Sequence, residues 1–329
     1  MKIAVYAIAK NESQFVDRWY DSMQEADGIF VLDTGSTDGT PDLLRKRGAV
    51  VAVQCQEPFK FNVARNASLA LVPNDYDWCV CTDIDEVFSK GWRKTLEDAI
   101  NDHPEINSAL CKFYTAFDEN GKPVNSMDYW KIHRRHCVHW ESQVHEYLAW
   151  DEPRVQYYVE GMWLEHHPND KPRDYYLPML DRAVREERTA RHLFYYGREL
   201  MYRGHEGAAI AVLMEYLYHR DSTWNSERAW AMRFIARCLA HKAEYNLAIY
   251  WYVKAAEEAH DQRESLVEYA RMCASLNEYE EAVRALEIAL QRKERPRVFF
   301  TEEDCWDGTP ERLLAEYKKH KEEKSCSNG

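Results

Sequence analysis

The chain has 329 residues, 45% hydrophobic and 30% charged, with a formal net charge of −13. That length accommodates two domains; the negative balance argues against broad nucleic-acid binding, and the lack of a long apolar run argues against stable membrane insertion. Nine cysteines without a C-x-x-C pair suit a reducing cytosol better than a disulfide framework, and with no signal peptide at the start a cytoplasmic location is expected.

Residues 3–9 form an apolar run short enough for a buried strand, and 12–24 carry helical spacing through Phe15, Trp19 and Met23. A second strand over 29–32 runs into Asp33-Thr-Gly-Ser-Thr-Asp-Gly-Thr40, a turn cluster after which Thr40 can cap a helix with Pro41 at its first position. A strand over 49–53, a helix over 61–71 and a strand over 78–82 follow. This alternation predicts a parallel α/β sheet, and in such sheets ligands collect at the carboxyl ends of the strands. Residues 7–10, Asp33 and 83–85 all fall there.

The strand over 78–82 ends in Asp83-Ile-Asp85-Glu86, carboxylates that either face a cation or simply open a loop and cap the helix around Trp92. The Asp33 cluster is equally open between a plain Asx-type turn and a site. It is not an EF-hand, since Gly35, Thr37 and Leu44 stand where ligands belong. Neither a Walker loop nor a G-x-G-x-x-G fingerprint occurs.

Strands are predicted next over 108–116 and 127–134, the second leading into Lys131-Ile-His-Arg-Arg-His-Cys-Val-His-Trp140, a dense cationic and aromatic segment. A charge-guarded strand edge explains such a run without any function. Trp163-Leu-Glu-His-His-Pro168 ends another apolar segment, and its adjacent histidines point to opposite faces of a strand.

From about residue 175 to 294 strand signals give way to helical spacing. His205-Glu-Gly-Ala208, Tyr245-Asn-Leu-Ala248 and Tyr279-Glu-Glu-Ala282 echo one another, Ala248 and Ala282 being 34 positions apart. That period belongs to tetratricopeptide-type helix pairs, and a loop over 220–226 accounts for the longer first interval. The repeats buttress the first domain or form a homodimer, and their aromatic residues are mostly core and repeat packing; a peptide in a concave face is the other use of such an array. The expected division is 1–170, 171–295 for the repeats, and 296–329 for a strap with Phe299, Phe300 and Trp306 and a tail frayed from Lys318.

Ala7-Ile-Ala-Lys-Asn-Glu12, Val31-Leu-Asp-Thr-Gly-Ser-Thr-Asp-Gly-Thr40, Phe61-Asn-Val-Ala-Arg-Asn66 and Cys81-Thr-Asp-Ile-Asp-Glu86 resemble, in order and spacing, the motifs of family 2 glycosyltransferases with the GT-A fold. The resemblance covers about the first hundred residues. It implies a Rossmann-like α/β nucleotide-sugar domain, here followed by the all-α repeats, with a UDP-sugar as donor and Mn²⁺ or Mg²⁺ as cofactor.

By the same resemblance Ile8 and Lys10 line the base pocket, Asp33 accepts from the ring N–H of a pyrimidine, and Arg65 lies close by. Asp83 approaches the ribose or the metal, Asp85 binds the ion, and one of His166 and His167 completes its shell, while a histidine packed at a domain joint is the plain alternative. Arg134 and Arg135 are candidates for a clamp on the diphosphate or acceptor. Val144-His-Glu146 resembles an element found after the metal motif in this family, which makes Glu146 a candidate catalytic base. Asp128 is the alternative, and a structural Glu146 paired with Arg134 or Arg135 is a third possibility.

The expected activity is thus a metal-dependent, inverting hexosyl or pentosyl transfer from a nucleotide-sugar. The acceptor is a glycan, a peptide or protein, or, lower in rank, a modified nucleobase in nucleic acid. A helical-repeat interaction protein with a degenerate sugar-nucleotide domain is the rival reading. Intact Asp33, Arg65, Asp83 and Asp85 speak against it, and the Gly-rich loop of sugar nucleotidyltransferases is absent.

Overall fold

The computed structural model describes residues 1–168, 174–296, 298 and 301–327. Two compact units divide the chain, Met1–Pro172 and Arg173–Gly329. The boundary expected at 170–171, like Phe299 and Phe300, lies outside the described residues.

The first unit runs β1 (Ile3–Ala9), α1 (Val16–Met23), β2 (Gly28–Asp33), α2 (Thr40–Arg47), β3 (Val50–Val53), α3 (Phe61–Ala70) and β4 (Trp78–Thr82). It continues with β5 (Glu86–Phe88), α4 (Trp92–Asp102), β6 (Ser108–Phe117), β7 (Pro123–Arg134), β8 (Val138–Glu141), β9 (Tyr147–Trp150) and β10 (Gln156–His166). Eight strands form one sheet in the order β3-β2-β1-β4-β7-β6-β10-β5, and β8 pairs with β9 apart from it. The four strands β3, β2, β1 and β4 are parallel, as expected. Beyond β4 the sheet is mixed, because β6 and β7 form a hairpin whose turn is held by Asp118 Oδ1 accepting from the backbone N–H groups of Asn120 and Lys122.

Alternation along β1 decides which core each side chain joins. Ile3, Val5 and Ala7 pack on one face with Trp19, Trp92 and Leu96, and Ala4 and Tyr6 on the other with Leu69, Trp140 and Leu148. With both faces covered, the carboxyl ends of β1, β2 and β4 are left to carry loops.

The second unit is all-helical: α5 (Tyr176–Glu186), α6 (Ala190–Tyr202), α7 (Glu206–Tyr218), α8 (Asn225–His241), α9 (Tyr245–Glu258), α10 (Glu264–Ser275), α11 (Tyr279–Ala289) and α12 (Thr309–Ser327). Within the pairs α6/α7, α8/α9 and α10/α11 the same turn recurs. Gly204, Ala243 and Asn277 are left-handed, at φ 72°, 59° and 61°, and the next N–H reaches back to Leu200, Leu239 and Cys273, which is a Schellman closure.

Three expectations need correction here. The first equivalent alanine is Ala209, which shares full burial with Ala248 and Ala282, whereas Ala208 is exposed. The longer first interval comes from α8, with 17 residues against 12 in α10, rather than from the loop before it. The tail expected to fray from Lys318 is the last part of α12, held to the repeats by Lys318 on Glu287 and by Lys324 donating to the Asn277 carbonyl. Among the described residues no helix is long and apolar enough to cross a membrane.

Candidate active site

Loops at the ends of β1 and β2 are knitted together before any ligand is considered. Asn11 N–H donates to Ser36 Oγ at 2.8 Å and Thr37 N–H to Asn11 Oδ1 at 2.8 Å. Asp33 is fully buried, and its Oδ1 accepts from the N–H groups of Gly35 at 3.0 Å and Ser36 at 2.8 Å. Gly35 holds φ 104°, and a Cβ there would stand 2.8 Å from Cys55 Sγ, so the turn requires glycine. Asp33 therefore shapes the loop, with the half-buried Ile8 and the exposed Lys10 beside it at the end of β1.

Arg65 is the centre of the site. Its position on α3 is fixed by Asn66, which donates to the Trp140 carbonyl and accepts from the Trp140 N–H, each at 2.8 Å. The guanidinium lies 5.5 Å from the Trp140 ring centroid. It donates through Nε to Glu146 Oε1 at 3.0 Å and through Nη2 to Asp83 Oδ1. Burial works against its charge, but Asp83 and Glu146 more than offset that and keep it protonated. Thus the structural partner of Glu146 is Arg65, and neither Arg134 nor Arg135.

Asp83 receives a second cation. Lys131 Nζ stands 3.3 Å from Asp83 Oδ2, and although burial favours the neutral acid, Arg65 and then Lys131 hold the carboxyl well below its usual range. Glu86 accepts the Asp83 N–H at 2.8 Å and supports the loop. Burial pushes Glu86 up to about 7, against Lys131 and with Asp83.

Arg134 and Arg135 are not at this end of the sheet. Because β7 runs antiparallel to β4, Arg134 pairs with Trp78 at the start of β4, and Arg135 N–H bonds the Asp77 carbonyl. The five residues from there to Asp83 span roughly 16 Å of strand. The cation that arrives instead is Lys131. Between the pairs Ala109–Ile132 and Cys111–Tyr129 the register shifts by one residue, a bulge of the kind that re-aims a side chain. No periodicity in the sequence announces it. Asp128, the alternative base, is exposed opposite Lys112, and no hydrogen bond or ion pair among the described residues joins it to Arg65, Asp83 or Glu146.

The two histidines separate. His166 Nε2 is 3.3 Å from Asp85 Oδ2, and burial would lower its pKa but Asp85 raises it. His167 bonds Glu165 at 3.0 Å through Nε2 and stacks on Phe117 at 4.9 Å; only its backbone N–H reaches Asp85, at the carbonyl. Of the residues expected at a metal, Asp83 is thus engaged by Arg65 and Lys131 and the His167 ring by Glu165. Asp85 and His166 are a carboxylate oxygen and an imidazole nitrogen at a separation that one small divalent ion can bridge. Among the described residues the only three ligand atoms already gathered belong to Glu302, Asp304 and Cys305. There both carboxylates are ion-paired, with Arg233 and Arg237 and with Arg271.

Parts of the chain are similar to known proteins. No curated protein matches the chain. Among solved structures, MamA is 15% identical over 45% of this chain and 88% of its own, with a TM-score of 0.32. PilF of Pseudomonas aeruginosa is 17% identical over 43% of this chain and 63% of its own, at 0.32. A glucosyl-3-phosphoglycerate synthase from Mycobacterium tuberculosis, in complex with Mg²⁺ and uridine diphosphate, is 25% identical over 35% of this chain and 43% of its own, at 0.29. The model of glycosyl transferase family 2 matches residues 5–158, a span that starts within β1, includes β2 to β9 and holds every site residue described above except His166 and His167. This chain therefore carries a family 2 glycosyltransferase domain of the GT-A fold, followed by tetratricopeptide-like helical repeats.

Proposed function

We propose that the chain is a metal-dependent, inverting glycosyltransferase that moves a sugar from a nucleotide-sugar, UDP-linked, to an acceptor glycan, peptide or protein, with a modified nucleobase lower in rank. The observation that carries this reading is the chain of contacts Asp83–Arg65–Glu146 at the carboxyl ends of the parallel strands, with Asp85 and His166 beside it. Such a place suits a nucleotide-sugar. Eight free cysteines among the described residues, seven of them buried, fit a cytoplasmic setting.

In this reading the loops at Asn11 and Asp33 bind the nucleoside, and Asp83, oriented by Arg65, receives the ribose. Asp85 and His166 would hold Mn²⁺ or Mg²⁺, whose chemistry when bound is to neutralise charge on the leaving diphosphate. Glu146 takes the proton from the acceptor as the acceptor atom bonds to the anomeric carbon. The bond from that carbon to the phosphate oxygen breaks, and its electron pair leaves with the nucleoside diphosphate. Arg65 on Oε1 fixes the carboxylate and leaves Oε2 to accept the proton.

The test is a titration with UDP, GDP and TDP, with and without Mn²⁺, repeated on Asp85→Ala. UDP should bind more tightly with the metal, and the variant should lose that gain; binding indifferent to both refutes the reading. Once a donor screen read by mass spectrometry gives an active pair, Glu146→Gln should keep donor binding while transfer falls by roughly 10²-fold or more. Unchanged turnover removes Glu146 from the role of base.

A further inference from the structure

Three consecutive features of the acidic motif carry unequal loads. Asp83 has both oxygens taken, Oδ1 by Arg65 and Oδ2 by Lys131 at 3.3 Å. Glu86 is turned back onto the Asp83 N–H. Among the described residues the Asp85 carboxylate is paired only with the imidazole of His166. The cations on Asp83 are fixtures of the fold: the Arg65 side chain is 4% exposed and that of Lys131 17%. Lys131 lies 5.7 Å from the centroid of the Tyr129 ring, whose hydroxyl is bonded to the Cys81 carbonyl of β4.

An ammonium on Asp83 Oδ2 and a divalent ion there oppose one another, because the ammonium occupies one lone pair of that oxygen and like charges repel at that distance. Divalent-ion affinity rises with the number of charged oxygen ligands supplied. With Lys131 in place the protein offers an ion one carboxylate and one imidazole, and the remaining charge has to come from the diphosphate of the donor.

We propose that Lys131 is a positioning residue, a resident counter-cation that keeps Asp83 from the metal and so makes metal binding depend on the nucleotide. This rests on the assignment of the ion to Asp85 and His166 made above. Its consequence is an ordered site: without nucleotide the ion is held weakly, and Asp83 keeps the geometry that Arg65 and Lys131 impose.

The probe is Mn²⁺ alone, with the free ion followed by electron paramagnetic resonance on the full chain without nucleotide. Lys131→Met should bind Mn²⁺ at least about tenfold more tightly than wild type, because Asp83 becomes a second charged ligand. Lys131→Arg, which keeps the charge, should stay within about twofold of wild type. The double variant Asp83→Asn/Lys131→Met should fall back to the wild-type affinity, which separates a gained ligand from a loosened fold. Equal Mn²⁺ affinity in Lys131→Met and wild type, where wild type does bind Mn²⁺ with UDP, overturns the inference and leaves the proposed function standing. Absence of Mn²⁺ binding to wild type even with UDP overturns the assignment of the ion itself, and the inference with it.

Discussion

His133 has no exposed surface, and both of its ring nitrogens are engaged. Nδ1 lies 2.7 Å from the Arg134 carbonyl and therefore carries the proton, so Nε2 accepts from the Tyr6 hydroxyl at 2.9 Å, and that oxygen in turn accepts from Trp140 Nε1 at 2.9 Å. The relay is complete only with neutral imidazole. Burial accordingly lowers the His133 pKa from 6.5 to about 4. Below the ordinary value the unfolded chain takes up a proton that the folded chain refuses, so this stabilisation is full above pH 6.5 and is lost as the pH falls towards 4. The loss amounts to roughly 3 kcal/mol. Urea denaturation at successive pH values should show it as a slope in wild type that is absent from His133→Gln; parallel profiles would refute it. At this scale the sequence is readable where a side chain's position follows from its motif, as for Arg65 and Asp83, which meet, and for Asp85 at the end of the same strand. It is silent on Lys131, whose placement depends on a bulge, and on Trp140, which reaches Arg65 only through the pairing of β8 with α3 by way of Asn66.

Among the elements, the helix pairs are legible because their turns repeat, but the echo in side chains is displaced by one residue in the first pair. The backbone marks the true register, since the left-handed residue before each second helix, Gly204, Ala243 or Asn277, sets where that helix begins. The opposite limit appears in α6. Gly197 sits in a helix interior, where alanine is ordinarily favoured by about 1 kcal/mol. A Cβ there would stand 2.6 Å from Leu213 Cγ on α7, which makes the glycine a condition of close packing between the two helices. Gly197→Ala should therefore lower stability by about 1–2 kcal/mol net, overpacking outweighing propensity. A denaturation midpoint that rises instead would mean that Leu213 turns aside without cost. Antiparallel β7 escaped prediction for a related reason: strand direction is decided by the Asp118 turn and by partners far along the chain, while the side-chain pattern of a buried strand is the same either way.

On the scale of the molecule, each unit has its own core. In the first it lies on both faces of the sheet around Trp19, Trp92 and Trp140, and in the second around Leu286, Ala270 and Cys305 between α10, α11 and α12. Chains built this way depart from a single two-state transition. A ligand that binds one folded unit raises only that unit's unfolding free energy, by about 2.7 kcal/mol at a hundredfold excess over Kd. For a unit of this size that corresponds to a rise of roughly 5–10 °C. Calorimetry of the full chain should resolve two transitions. UDP with Mn²⁺ should move the one that Asp85→Ala makes unresponsive, and Gly197→Ala should lower the other. If one transition responds to both perturbations by the same amount, the units unfold as one and the nucleotide site draws stability from the repeats.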